Sequence, residues 1–160
     1  MSEQTLNRET VLDVMRSERF VMLSTATREG KIVSHPMTPQ QVTDEAEVWF
    51  IISRDSDQSQ AIRANPQVNL AFAEAGSWLS LAGTAEFVDD QAKIDELWTE
   101  QAGAYFEQGR QDPNVTLLKV TGDSAQFWGV PGGAVGSTLK LIGAKITGKK
   151  PDGTSGTVEL

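Results

Sequence analysis

The residues best suited by type and spacing to do chemistry form two short runs, Ser34-His35-Pro36-Met37 and, after a polar gap, Trp49-Phe50-Ile51-Ile52-Ser53-Arg54-Asp55-Ser56-Asp57-Gln58. They read as two strands followed by the start of a helix. Strand edges at Met37 and Ile51-Ile52 can give a flat ring apolar walls and backbone amides, and a helix start at Ser56 can give amides to a phosphate. Two positions depart from that chemistry: at His35 and Gln58 a phosphate dianion would be served far better by Arg and Lys. Charge-assisted hydrogen bonds are worth roughly 1.5–3 kcal/mol each, so losing two weakens phosphate binding by about two to four powers of ten unless other cations compensate. Arg54, Arg63 and the tail lysines Lys140, Lys145, Lys149 and Lys150 are the substitutes on offer.

Composition narrows the alternatives. The chain of 160 residues has 22% charged and 39% hydrophobic residues, which suits one globular domain with a loose C-terminal end. It has no Cys and a single His, so thiolate nucleophiles, disulfides and thiolate metal sites are excluded, and a zinc site or a Ser-His-Asp triad has little to build on. A net charge of -8 repels nucleic acid, and no basic helix appears. No apolar run reaches the roughly 18 residues of a membrane span, and Met1-Ser2-Glu3-Gln4 lacks a signal pattern, so a cytoplasmic protein with no membrane partner is expected.

The elements that must position these residues follow from periodicity. Asn7 caps a helix with Val11, Val14 and Met15 on one face. Phe20 to Ala26 reads as a buried strand, Arg28-Glu29-Gly30 as a hairpin turn, and Ile32 to Met37 as the returning strand. Val48 to Ser53 is a third strand on which Trp49 and Phe50 point opposite ways, so one belongs to the core and only the other can reach a ligand. Asp55 or Ser56 caps a helix that Asn65-Pro66 stops. Val68 to Phe72 and the long run Trp78 to Val88 are further strands, with a bulge or close approach at Gly83. Asp89 or Asp90 caps a helix carrying Ile94, Leu97 and Trp98 to the core. Val115–Thr121 and Ser124–Val130 are read as two strands joined by a Gly122-Asp123 hairpin. The sum is a mainly β (α+β) chain, a six- to seven-stranded antiparallel split β-barrel with short flanking helices. Residues 1–135 are assigned to that barrel and 136–160 to a Gly- and Lys-rich extension whose last ten residues are left without an element.

From about Val14 to Trp128 the chain resembles the general stress protein 26 group of the pyridoxamine 5'-phosphate oxidase-like, FMN-binding split-barrel superfamily. The resemblance lies in Phe20 to Thr25, Pro36-Met37, Val48 to Ser56, Asn65-Pro66-Gln67-Val68-Asn69-Leu70, Leu79 to Ala85 and Leu97-Trp98. It is most specific in Tyr105-Phe106, Gly109-Arg110-Gln111-Asp112-Pro113, Leu117-Leu118 and Ala125-Gln126-Phe127-Trp128. The resemblance implies a homodimer with FMN at the subunit interface. It places Ser34, His35, Pro36 and Met37 of the second strand, and Phe50, Ile51, Ile52 and Ser53 of the third, against the flavin. Asp55, Ser56 and Gln58 would then face the phosphate, with Ser80 near the ring and Trp128 arriving from the partner.

Related proteins usually carry Arg before the Pro-Met pair and Lys two residues beyond the Ser, where this chain has His35 and Gln58. True pyridoxamine phosphate oxidases use Trp, Arg and His near their C-terminus; from Pro131 onward this chain has none of them, so vitamin B6 oxidase activity is not expected. Two alternatives stay open: a split-barrel dimer of weakened or lost flavin affinity acting as a binding or structural module, and a barrel for another flavin-like cofactor such as FAD or deazaflavin F420. No side chain stands out as a general acid or base.

Overall fold

A computed structural model describes residues 7–74, 77–129 and 154–160. Its organising element is a strand of 15 residues, Val115–Gly129, buried on both faces along its first four residues and alternating beyond them, which pairs with three other strands as the spine of the sheet. In chain order the elements are α1 (Arg8–Ser17), β1 (Val21–Ala26), β2 (Ile32–Met37), β3 (Gln41–Val42), β4 (Glu47–Ser53), α2 (Asp57–Ala64), β5 (Gln67–Glu74), β6 (Ser77–Val88), α3 (Gln91–Leu97), α4 (Glu100–Gly103), β7 (Val115–Gly129) and β8 (Thr154–Glu159). A 3-10 turn, Gly109–Gln111, precedes β7.

All strand pairs are antiparallel, in the order β2-β1-β5-β6-β7-β4-β3, with β8 added on β7. The sheet curls without closing; among the described residues β2 and β3 end its main path, and β8 pairs with β7 alone. This is the expected split-barrel α+β architecture, with eight strands among the described residues instead of six or seven.

Three local features differ from the sequence reading. Gly122-Asp123 does not turn the chain; β7 runs straight through it, pairing β4 along its first half and β8 along its second. A two-residue hairpin needs positive φ at its central positions, and neither Gly122 nor Asp123 has it. Instead the register with β6 shifts there, Ala82 facing Ser124 and Gly83 facing Gly122, so that Asp123 is the extra residue of a bulge. The last ten residues, left without an element, contain β8. The polar gap before β4 contains β3, whose Gln41 faces Trp49.

Gly83 is the close approach its place in β6 suggested. A Cβ there would sit 2.6 Å from the Thr121 carbonyl oxygen and 2.9 Å from Val120 Cγ1. Since the first of these is backbone in the central strand, Gly83→Ala is expected to destabilise the fold by about 1–3 kcal/mol, as a lower urea midpoint in tryptophan-monitored unfolding.

Two clusters of buried side chains hold the sheet. The larger fills the barrel with Leu23, Phe50, Leu70, Phe72, Leu81 and Val120, and is plugged by Val11 and Met15 of α1. The smaller lies on the other face of β4 and β7, where Trp49, Val115 and Leu117 meet Ile94, Leu97 and Phe106. Covered on both sides, β4 reads as an unbroken apolar run. Trp49 and Phe50 therefore both belong to cores, on opposite faces. Lys93 and Lys119 lie over the Trp49 ring at 5.0 and 5.7 Å.

Candidate functional site: a cavity between the ends of β2 and β4 and the start of α2

Where β2 and β4 diverge at the open seam of the barrel, they leave a cavity of about 600 Å³, within the roughly 300–1,000 Å³ of small-molecule sites. Pro36, Met37, Thr38 and Gln40 form one wall, and Ile51, Ile52 and Ser53 another. The segment from Thr38 to Gln40 is tied along β4 by a hydrogen bond from Gln40 N to Trp49 O (2.8 Å). Ser56 and Gln58 lie at the α2 end; Arg19 and Phe20 enter just before β1. Gln101, Ala102, Ala104, Tyr105 and Phe106 close the remaining side.

The start of α2 is built by serines. Ser56 Oγ accepts from Ser59 N (3.2 Å), and Ser59 Oγ donates to Ser53 O (2.6 Å). This is the N-cap expected of Ser or Thr, and Gln60 N closes the first helical bond to Ser56 O. The amides of Asp57 and Gln58 have no acceptor among the described residues, as the first turn of a helix leaves them. The loop before β7 braces this start. Asp112 accepts from Asn114 N (2.9 Å), and Asn114 Nδ2 donates to Ser53 Oγ (2.6 Å) and Asp55 Oδ1 (3.0 Å). Ser53 Oγ also donates to Asp55 (2.6 Å). These hydrogen bonds hold the Asp55 carboxyl below its usual pKa, so the group stays an anion and an acceptor.

Of the residues that the family resemblance assigned to a cofactor, Pro36, Met37, Ile51, Ile52, Ser53, Ser56 and Gln58 come together on this cavity. His35 lies beside it, paired with core-facing Leu23. The Phe50 side chain is fully buried in the barrel core, because strand alternation sends it away from Ile51. Asp55 turns to Ser53 and Asn114 and does not line the cavity. Ser34, Ser80 and Trp128 lie on the outer face of the sheet, where Ser34 bonds Ser24 (2.7 Å) and Ser80 accepts from Asn69 (2.8 Å). Trp128 pairs across the strands with Trp78, and the two are 46% and 51% exposed.

Sequence reasoning missed Arg19, Phe20 and the α4 segment. Tyr105-Phe106 enters the sequence reading only as part of the family resemblance. Phe106 is anchored on Trp98 (ring centroids 6.0 Å apart), while Tyr105 is 85% exposed at the rim. Of the cations named as substitutes at the phosphate end, the two arginines are engaged elsewhere. Arg54 grips Asp89 with two nitrogens (2.6 and 3.0 Å) and donates to Pro113 O. Arg63 donates to Arg54 O and covers the Phe87 ring. The tail lysines lie outside the described residues. Asp90, not Asp89, caps α3, and among the described residues no group of three or more His, Asp or Glu side chains is placed to hold a metal. No helix among them is long and apolar enough to cross a membrane.

Hydrogen bonding to Arg54 and then to Thr116 lowers the Asp89 pKa. A depressed carboxyl pKa contributes stability above the unfolded value, near 4, and loses it as pH falls through the folded value. The pair is substantially exposed, so solvent screening limits it to about 0.5–1 kcal/mol. Asp89→Asn is expected to cost that much near neutral pH, with the difference from wild type shrinking below about pH 4, as read by urea unfolding at each pH.

Comparison with known proteins agrees with this architecture. A solved structure of a general stress protein 26 from Jannaschia sp. CCS1 is 29% identical, with 95% of this chain and 97% of that chain covered and a TM-score of 0.75. The general stress FMN/FAD binding protein of Xanthomonas citri is 31% identical over 76% of this chain and 87% of its own, with a TM-score of 0.63. The general stress protein 26 of Bacillus anthracis str. Sterne shares the fold at 21% identity, with a TM-score of 0.67 over 75% of this chain and 92% of that one. No curated protein sequence matches. The family model described as "Pyridoxamine 5'-phosphate oxidase like" matches residues 7–152, and the chain belongs to that family.

Proposed function

We propose that the cavity binds FMN at the interface of a homodimer, and that the protein is an oxidoreductase-like member of the general stress group and not an oxidase of vitamin B6. One observation carries this reading: a flavin-sized cavity with apolar walls lies between Met37 and Ile51-Ile52 and reaches Ser56 and Gln58 at the first turn of α2, where the Gln58 amide has no acceptor among the described residues. The likeness to the FMN/FAD binding protein of Xanthomonas citri supports it. Such a flavin, when bound, supplies hydride or electron transfer. Met37, Ile51 and Ile52 would wall the ring from water, and Ser53 and Ser56, held by Asn114 and Ser59, would fix the phosphate end.

The outer face supports a second copy of the chain as partner. Met22, Trp78 and Trp128 are exposed on it, and an apolar patch of this kind marks an interaction surface. Purified protein is expected to show the near-ultraviolet and blue absorption bands of a flavin, or to quench the fluorescence of added FMN at micromolar concentration. Colourless protein that leaves FMN fluorescence unchanged would sink the reading. Mass spectrometry of released ligand separates FMN from FAD and F420.

A second reading is favoured by the engagement of Arg54 and Arg63 away from the cavity: a split-barrel module with little flavin affinity. Flavin bound in stoichiometric amount would end it.

A further inference from the structure

Building on the proposed flavin site, we propose that Arg19 is the cation that compensates the ligand's negative charge in this cavity, the task that basic residues at positions 35 and 58 would otherwise perform. Three observations converge on it. Among the described residues that line the cavity, Arg19 is the sole ionisable cation and none is a carboxylate, although the chain carries 22 acidic residues against 14 basic ones. Its guanidinium is also uncommitted. It lies over the Phe20 ring, 5.2 Å from the centroid, and no hydrogen bond or ion pair engages it among the described residues. Arg16, Arg54, Arg63 and Arg110 all differ, being engaged by Asp44, Asp89, the Arg54 carbonyl and Asp95 respectively.

The third observation is how Arg19 is held. It sits in the short link between α1 and β1, and β1 begins paired with Met37 of the cavity wall (Val21 opposite Met37). The link is thus carried to the cavity mouth by the same register that places Pro36 and Met37 there. Stacked on Phe20, the planar fork keeps its five N–H donors for an anion, and the ring limits the conformational freedom lost on binding. An arginine so placed matches a phosphate with two parallel hydrogen bonds. FMN presents two possible anions, its phosphate and the pyrimidine edge of the reduced ring, and Arg19 serves whichever reaches it.

The test measures FMN and riboflavin affinity by fluorescence quenching, together with the reduction potential of bound flavin, in wild type, Arg19→Gln, Arg19→Lys and Arg28→Gln. Arg28 lies exposed in the β1–β2 turn and controls for net charge. Thermal melts establish that each variant is folded. Arg19→Gln is expected to weaken FMN binding by about tenfold or more, with partial recovery in Arg19→Lys and no change in Arg28→Gln. If the phosphate is the anion, riboflavin affinity stays the same. If the reduced ring is the anion, the potential falls in Arg19→Gln. FMN affinity and potential that are both unchanged in folded Arg19→Gln overturn the assignment while leaving the flavin reading intact. Wild-type protein that binds no FMN overturns both.

Discussion

Phe50→Ala is expected to lower the free energy of unfolding by about 3–5 kcal/mol, a large share of the roughly 5–15 kcal/mol available to a domain of this size. The side chain is completely buried, in a strand covered on both faces and paired directly with Leu118 of β7. Its removal leaves a void that the surrounding strands cannot close, because β7 behind it is fixed by ladder hydrogen bonds to β4, β6 and β8. The effect should reach the cavity, since Ile51 and Ile52 continue the same strand. Urea unfolding monitored by tryptophan fluorescence reads the loss, and a change below about 1 kcal/mol would mean that Phe50 is not the core residue its burial indicates.

Gln58→Lys is expected to tighten FMN binding by about tenfold, with a further gain when His35→Arg is added. A lysine on the first turn of α2 would place a cation beside the unfilled Asp57 and Gln58 amides, where helix dipole and charge act together. A charge-assisted hydrogen bond is worth roughly 1.5–3 kcal/mol, and the smaller end applies because the Asp55 and Asp57 carboxylates compete for the new cation. His35 lies beside the cavity and not in its lining, so Gln58→Lys should give the larger single gain. Fluorescence titration of FMN against wild type, each single variant and the double variant checks this. Equal affinities throughout would show that another group already satisfies the phosphate.

The local devices were legible in the sequence. Asn7, Ser56 and Asp90 each accept from a backbone N–H three residues on, and Gly30 has the positive φ (82°) of its turn. Each depends on residues within one helical turn or one hairpin. The direction of Phe50 was not legible, because an apolar run covered on both faces carries no alternation to say which core each side chain joins. Nor was the continuity of β7: Gly122-Asp123 has the composition of a hairpin, and what keeps it extended is pairing with β6 and the hydrogen bond from Gly122 N to Ala46 O (3.0 Å). β8 was missed because Ser155 and Gly156 interrupt its strand-forming Thr154, Thr157 and Val158, and the run is short enough that pairing along β7 decides it.

By itself, the sequence determined the longer helices and strands apart from the continuity of β7, the mainly β class, the family resemblance and the residue types at positions 35 and 58. Only the tertiary structure decided what the cavity contains. Seven of the residues assigned by resemblance meet there, while Phe50 goes to the core and Asp55 to a bracing network. It also brought in Arg19 and Tyr105, which no local pattern connects to Gln58. The physical reason is that strand alternation and capping are set by neighbours along the chain. A cavity is set by which distant strands pair and in what register, and that depends on burying the whole core at once.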